Sequence, residues 1–436
     1  MNNNGPKVAV VGAGSFVFSL GLLYDLIVKH RLTGMRLALL DVNEQAVETM
    51  RQLATRVAKE VGVSAEITAG TDRAAALQGA DFVTTSVAVQ IRKRWEMDKE
   101  IIHRHGIKEI TSECGGVGGL SYTLRSVALV LGIARDMERY CPSALLLNSS
   151  NPLPRVTNAV NRHSSIKAIG FCNAAVGSEN GYWVIGHLLN RNEHDINVIG
   201  AGLNHFSWLL SVKDRWTGED LMPQVQAALG KELAENMKES LGPLTMKVWR
   251  TYGILPLAGD PHIGEYLPWD DETCHEHEAH HGNDTERNER REQLIKVATT
   301  DWPWQVAFTN NAWEHPGDVI NALTTGTSLR MEALNTVNNG TIANLPADAM
   351  VEAPAIIADG KITAVPIGAL PASIADICTR TAQVQLLAAD GAATGDRCKL
   401  AEAIDADPAI TDKEAAQQAI SELINAHIDL LPAFQG

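Results

Sequence analysis

With 436 residues and a formal net charge of −15, the chain is long enough for two domains and too acidic for a nucleic-acid groove or an anionic membrane surface, both of which need concentrated Lys and Arg. Six cysteines, at positions 114, 141, 172, 274, 378 and 398, stand far apart with no C-x-x-C pair, which excludes a dense disulfide framework and points to reduced thiols in the cytoplasm. The opening MNNNGPK holds no apolar leader, and no later run is expected to reach the roughly 20 apolar residues that span a bilayer.

In chain order, KVAVVGAGS reads as a buried strand ending in Gly-x-Gly, FVFSLGLLYDLIVKH as a helix and MRLALLDVN as a second buried strand. After a helix over about 44–61 come AEITAGT, ADFVTTSVAV, SALLLNSS and KAIGFCN, short apolar runs separated by helix-like segments. This alternation predicts an α/β fold with a Rossmann-like, doubly wound parallel sheet, in which ligands sit beyond the carboxyl ends of the strands. Ser15, Asp41, Asn148 and Cys172 all fall at such ends. Gly12 and Gly14 would let the backbone reach a pyrophosphate at the start of the first helix, although Val17 stands where the fingerprint has its third Gly. Asp41, ending the second strand, is placed to bond ribose hydroxyls and to repel a 2′-phosphate, so the expected cofactor is NAD rather than NADP.

Near residue 195 the texture changes. We expect residues 1–195 to form the NAD-binding domain and 196–436 a mixed α+β domain for substrate, metal and oligomerisation. INVIGAGLNHFSWLLSV reads as a strand, and the His-rich stretch 270–293 as a solvated helix or loop, because its spacings match no compact ligand set.

Several residues carry possible chemistry. Cys172 and His205 each follow a strand-like run; together a thiolate and an imidazole suit a borderline divalent cation and leave positions for sugar oxygens and water. Taken singly, each reads more readily as a buried core residue. Asn148 and Asn151, in LLLNSSNPLPR, could hold sugar hydroxyls or simply build a turn. The stretch WRTYGILPLAGDPHIGEYLPW gathers Tyr252, Asp260, His262, Glu265 and Tyr266 between Gly and Pro breakers; one could be a general base and the others scaffold. Arg92, Lys93 and Arg94 read more readily as a solvated basic turn than as a clamp for a phosphate or uronate.

The runs VGAGS, ADFVTTSVAV, GGVGGLSYTLRSV, NSSNP, GFCN, GLNHFSW, GDPHIGEYLPW and NTVNNGTIANLPADAMVEAPAII together give the chain a specific likeness. It resembles glycoside hydrolase family 4, the NAD- and manganese-dependent glycosidases, and within it the non-phosphorylated galactosidase and galacturonidase branch. The resemblance implies a lactate/malate dehydrogenase-like architecture, a small glycoside substrate and a homodimer or homotetramer. It makes Cys172 and His205 the ligands of Mn²⁺ or another divalent cation, and Asn151 a substrate-binding amide. Where other members have Cys-His or Cys-Asp, this chain has Cys172-Asn173, a pairing found among 6-phospho-β-glucosidases. Asn173 cannot act as an acid, so it is placed with the substrate-binding residues and protonation of the leaving group is left to metal-bound water. In place of the phospho-glycosidases' tyrosine base stands Asp260, with His262 as the second candidate.

The implied reaction oxidises C3 of the sugar, removes the C2 proton, eliminates the aglycone, adds water and reduces C3 again, a sequence compatible with either anomer. Two other readings compete. One is an NAD-dependent hydroxy-acid dehydrogenase of lactate or malate type, with Arg92 or Arg94 holding the carboxylate; the other is a catalytically inactive sugar or nucleotide sensor.

Overall fold

The computed structural model describes residues 5–16, 18–108, 113–172, 174–177, 182–234, 241–267, 284–308 and 314–435. Six apolar runs form the parallel strands β1 (Lys7–Val11), β2 (Met35–Leu40), β3 (Ala65–Gly70), β4 (Phe82–Thr85), β5 (Leu145–Asn148) and β6 (Lys167–Gly170), in the spatial order β3-β2-β1-β4-β5-β6. The doubly wound, Rossmann-like expectation is met. Beyond β6 the same sheet continues antiparallel through β9 (Leu329–Val337), β10 (Met350–Ala358), β7 (Ile196–Leu203) and β8 (Phe206–Asp214), while β11 (Lys361–Ala364) pairs with β10. At the junction Gly170 lies opposite Asn335.

The run 196–212 is not one strand. It folds back at Asn204–His205, with Leu203 paired to Phe206 and His205 in the left-handed region at φ 62°. A two-residue loop leaves no slack, so the turn residue that could bend this way is held at the sheet's end. Why the chain turns there is legible only from its partners, described below.

Helices cover both faces. The helix Gly116–Tyr140 is long and apolar enough to cross a membrane, contrary to the expectation that no segment would be, but most of it is buried inside the protein. Its Val117, Leu120, Leu124 and Val127 pack with Ala9, Val83 and Leu146 of the parallel strands and with Ala388, Leu400 and Leu423 from helices Ala372–Thr394, Arg397–Ala406 and Lys413–Ala426. The C-terminal helices thus share a core with the first half of the chain. On the opposite face, helix Phe18–Leu23 and helix Glu44–Val61 pack with Leu294, Val319 and Ile357. Arg92–Arg94 belong to helix Ile91–Arg104 rather than to a turn, and Arg94 is buried against the C-terminal segment, bonded to Asp429 at 3.0 and 2.5 Å. Of the His-rich stretch, 270–283 lie outside the described residues and the rest begins the helix Asp284–Thr299.

Candidate active site

At the carboxyl end of β1, Gly12 adopts φ 91°, and a side chain there would strike the carbonyl oxygen of Ser86 just past β4. Only glycine fits. The Gly14 N–H donates to Asp41 Oδ2 at 2.8 Å, the Asn43 N–H donates to Oδ1 at 2.9 Å, and the Ser15 N–H closes the turn on Gly12 O at 3.0 Å. Asp41 is therefore held at the end of β2 by backbone donors, with lone pairs left for the ribose hydroxyls of a dinucleotide. These residues fit an NAD cradle.

Cys172, two residues beyond β6, and His205, in the β7–β8 turn, lie 33 residues apart in sequence and meet: Sγ is 3.2 Å from Nε2. Bonds of about 2.3 Å to sulfur and about 2.05 Å to nitrogen would place two neighbouring ligands of one ion about 3.1–3.6 Å apart at bond angles of roughly 90–109°. The observed separation fits a shared cation. Burial, then the nearby His262, holds His205 well below its usual pKa, so its imidazole is neutral and has a lone pair to give. Burial, then the carboxylate Glu352, pushes the Cys172 thiol up, so a thiolate here calls for a cation beside it. The other ring nitrogen, His205 Nδ1, is 3.3 Å from the buried Cys114 Sγ.

Two elements hold this pair in place. Glu352 of β10, 1 % exposed, accepts from Asn204 Nδ2 at 3.0 Å, Asn335 Nδ2 at 3.0 Å and Ser207 Oγ at 2.9 Å, tying the His205 turn to β8, β9 and β10. Tyr266 Oη donates to Asn204 O at 3.2 Å. Its neighbour Glu265 accepts the backbone N–H groups of Glu113, Cys114 and Gly115 at 3.0, 2.6 and 3.1 Å. Adjacent residues of one segment thereby fix both the histidine turn and the loop that faces it. Gly115 permits the approach, since a side chain there would collide with the Glu265 carbonyl.

Glu113, which sequence reasoning passed over, emerges at the centre. Its Oε1 accepts from Asn151 Nδ2 at 2.9 Å, and it offers a ligand atom within 4.8 Å of His205 and His262. Burial pushes its carboxyl up to about 7, against the pull of the Asn151 bond. Burial, then the Glu113 charge, pushes Glu265 to about 8. His262, displaced to about 4 by burial, stacks on His205 with ring centroids 4.0 Å apart.

Two expected site residues are otherwise engaged. Asp260 is buried, and its Oδ2 accepts from Leu244 N at 2.9 Å while Oδ1 accepts from Thr245 N at 2.8 Å and Thr245 Oγ1 at 2.6 Å. It closes the N-terminus of helix Pro243–Tyr252, which is structural work that leaves it poorly placed as a base. Asn148 is fully buried; its Oδ1 accepts from Thr85 Oγ1 and Ser150 N, and its Nδ2 donates to Ser150 O and Thr157 Oγ1. No capacity remains for a sugar hydroxyl. Asn173 lies outside the described residues.

A Gly-x-Gly turn at the head of a parallel sheet, joined to an antiparallel half that brings sulfur and imidazole together, defines a Rossmann-like α/β protein with a candidate dinucleotide cradle and a candidate cation site. The family model for "Family 4 glycosyl hydrolase" matches residues 7–186, and that for its C-terminal domain matches 200–410. The chain belongs to this family and is a glycoside hydrolase. It is 27 % identical to an α-galactosidase of Rhizobium meliloti over 98 % of this chain and 89 % of that one, and 27 % identical to an α-galactosidase of Bacillus subtilis over 98 % and 100 %. In fold it is similar to a 6-phospho-α-glucosidase from gut microorganisms solved in complex with NAD and Mn²⁺, with a TM-score of 0.78 at 20 % identity over 99 % and 100 % of the two chains. A malate dehydrogenase of Plasmodium falciparum aligns more loosely, with a TM-score of 0.51 at 14 % identity over 89 % and 98 %.

Proposed function

We propose that the chain hydrolyses a glycoside with NAD and a divalent cation, Mn²⁺ foremost, as resident cofactors. The observation that carries this is the 3.2 Å approach of Cys172 Sγ to His205 Nε2 beyond the strand ends. Gly12, Gly14, Ser15 and Asp41 would hold the dinucleotide; Cys172 and His205 would hold the ion. When bound, the dinucleotide supplies a reversible hydride acceptor for a sugar carbon, and the cation supplies a Lewis acid for sugar oxygens.

The chain's own residues do the rest. Glu113 takes and returns the proton at C2, because a carboxyl displaced to about 7 exchanges protons near neutrality. Asn151 orients that carboxylate through Nδ2 and is itself fixed by accepting the Leu153 N–H at 3.1 Å. Asn173 remains assigned to the sugar hydroxyls. The α-galactosidase relatives favour an unphosphorylated galactoside as substrate, and we place the enzyme in the cytoplasm as a homodimer or homotetramer. The hydroxy-acid dehydrogenase reading loses Arg94, which is committed to Asp429.

The test is a screen of aryl galactosides, galacturonides and their 6-phosphates with NAD⁺ and Mn²⁺ under reducing conditions. Aglycone release without net NADH is expected. Steady NADH accumulation with a 2-hydroxy acid, and no aglycone from any glycoside, would overturn the reading.

A further inference from the structure

A second thiol faces the His205 ring from the side opposite Cys172: Cys114 Sγ lies 3.3 Å from Nδ1. Nothing in the proposed chemistry uses it. Cys114, His205 and Tyr266 are each at most 3 % exposed, so water does not compete for the polar atoms between them. The thiol is set in place by its own backbone, whose N–H donates to Glu265 Oε2 at 2.6 Å, and it shares a side-chain hydrogen bond with the Tyr266 phenol. The phenol in turn donates at 3.2 Å to the carbonyl of Asn204, the residue before His205.

The protons available give this chain a direction. A carbonyl can only accept, so the Tyr266 proton goes to Asn204 and the phenol oxygen has only lone pairs to offer Cys114. The thiol has a single proton. Given to Tyr266, it leaves the sulfur as an acceptor, and His205 completes the chain by donating Nδ1–H to it, so that every contact holds one proton. Given to His205 Nδ1, it leaves phenol and sulfur facing each other with lone pairs only, an unsatisfied contact in a buried place. The chain therefore selects the tautomer protonated on Nδ1. A neutral histidine side chain in water favours the opposite tautomer, in which Nε2 has no lone pair in the ring plane to give, and the bond made by one ring nitrogen decides what the other can do.

We propose that Cys114 is a positioning residue: directed by Tyr266 and the Asn204 carbonyl, it accepts the Nδ1–H of His205 and so turns an Nε2 lone pair toward Cys172 and the cation shared with it. The proposal rests on the assignment of the cation to Cys172 and His205. A metal-binding histidine commonly donates its second N–H to a carboxylate, a carbonyl or water. Here a neutral thiol takes that place, which adds no further carboxylate to a ring that already has Glu113 near it.

The experiment reads the His205 ring by nitrogen NMR at neutral pH in NAD-saturated, metal-free protein labelled at histidine, with His205→Ala identifying the signal. In wild type the unprotonated nitrogen should couple strongly to both ring carbon protons, the pattern of Nε2; strong coupling to one only, the pattern of Nδ1, overturns the proposal before any variant is made. The Nδ1 pattern should appear in Cys114→Ala and in Tyr266→Phe, whereas Cys114→Ser, whose hydroxyl can accept and donate in the same two directions, should keep that of Nε2. Mn²⁺ titration followed by electron paramagnetic resonance should show binding weakened about tenfold or more in Cys114→Ala, the scale seen for partners one bond removed from a metal, and recovered in Cys114→Ser. NAD affinity, which depends on the separate Gly12 to Asp41 region, confirms that each variant is folded. An Nε2 pattern that persists in Cys114→Ala overturns the positioning role, whatever happens to Mn²⁺ there, and the proposed function still stands if Cys172→Ser and His205→Ala lose the ion. Unchanged Mn²⁺ affinity in those last two variants overturns the cation assignment itself.

Discussion

Asp260 shows how a carboxylate conspicuous in sequence can be committed to the fold by its hydrogen bonds. It stands among Gly, Pro and ionisable residues, which is how a pocket wall reads in sequence, but its partners Leu244 and Thr245 lie 15 to 16 residues earlier, at a helix start that no local pattern links to it. Removing it in Asp260→Ala orphans buried donors at that start, and the protein should lose about 2 kcal/mol of stability. A lowered melting temperature with NAD affinity intact is the expected result; unchanged melting with activity abolished would return Asp260 to the chemistry. Glu113 is the reverse case. Nothing in TSECGG marks it, because its role comes from burial and from Asn151, neither of which is written locally. Cys172 and His205 were legible as candidates from their places after apolar runs, and their meeting only through the family resemblance, since the strand order of the antiparallel half that brings them together is not written locally.

Among the elements, the β7–β8 turn depends on a residue more than a hundred positions away. Glu352 receives three side-chain donors, two of them from strands β8 and β9 and one from the turn itself, in a setting where burial raises its pKa and the bonds oppose that rise. The sequence displays the Glu in VEAP and the Asn in NTVNNG without saying that they touch. Glu352→Ala would leave Asn204, Asn335 and Ser207 with unpaired buried groups, at a cost of about 3 kcal/mol or more. Urea denaturation should show the loss, and Mn²⁺ affinity should fall with it because His205 loses the anchor of its turn. Stability lost with Mn²⁺ affinity unaltered would mean that the turn holds its shape without Glu352.

For the molecule as a whole, the parallel half was readable because each buried strand is a compact apolar run with a helix after it; the return of the C-terminal helices onto that half was not, since helical periodicity shows that a face is apolar and not what it meets. The same long-range closure appears on the other sheet face. There His315, at φ 46° before helix Pro316–Thr325, sets Nδ1 at 3.2 Å from both oxygens of Asp25, a residue 1 % exposed in the π-helical turn Tyr24–Lys29 that follows the nucleotide loop. Asp318 of the same helix pairs with Lys29 at 2.8 Å and His30 at 2.6 Å, and Gly317 has no side chain to block the approach to Asp25. The Asp25 hydrogen bond raises the His315 pKa above its ordinary 6.5, with burial opposing it. A histidine whose folded value is raised stabilises the fold fully below its unfolded value of about 6.5, and that contribution disappears as pH climbs through the folded value. Melting temperature should therefore fall as pH rises from 6.5 through the folded value, and His315→Asn should flatten this decline while lowering stability at pH 6. Equal slopes for the two proteins would show that the protonated His315–Asp25 pair does not couple these segments.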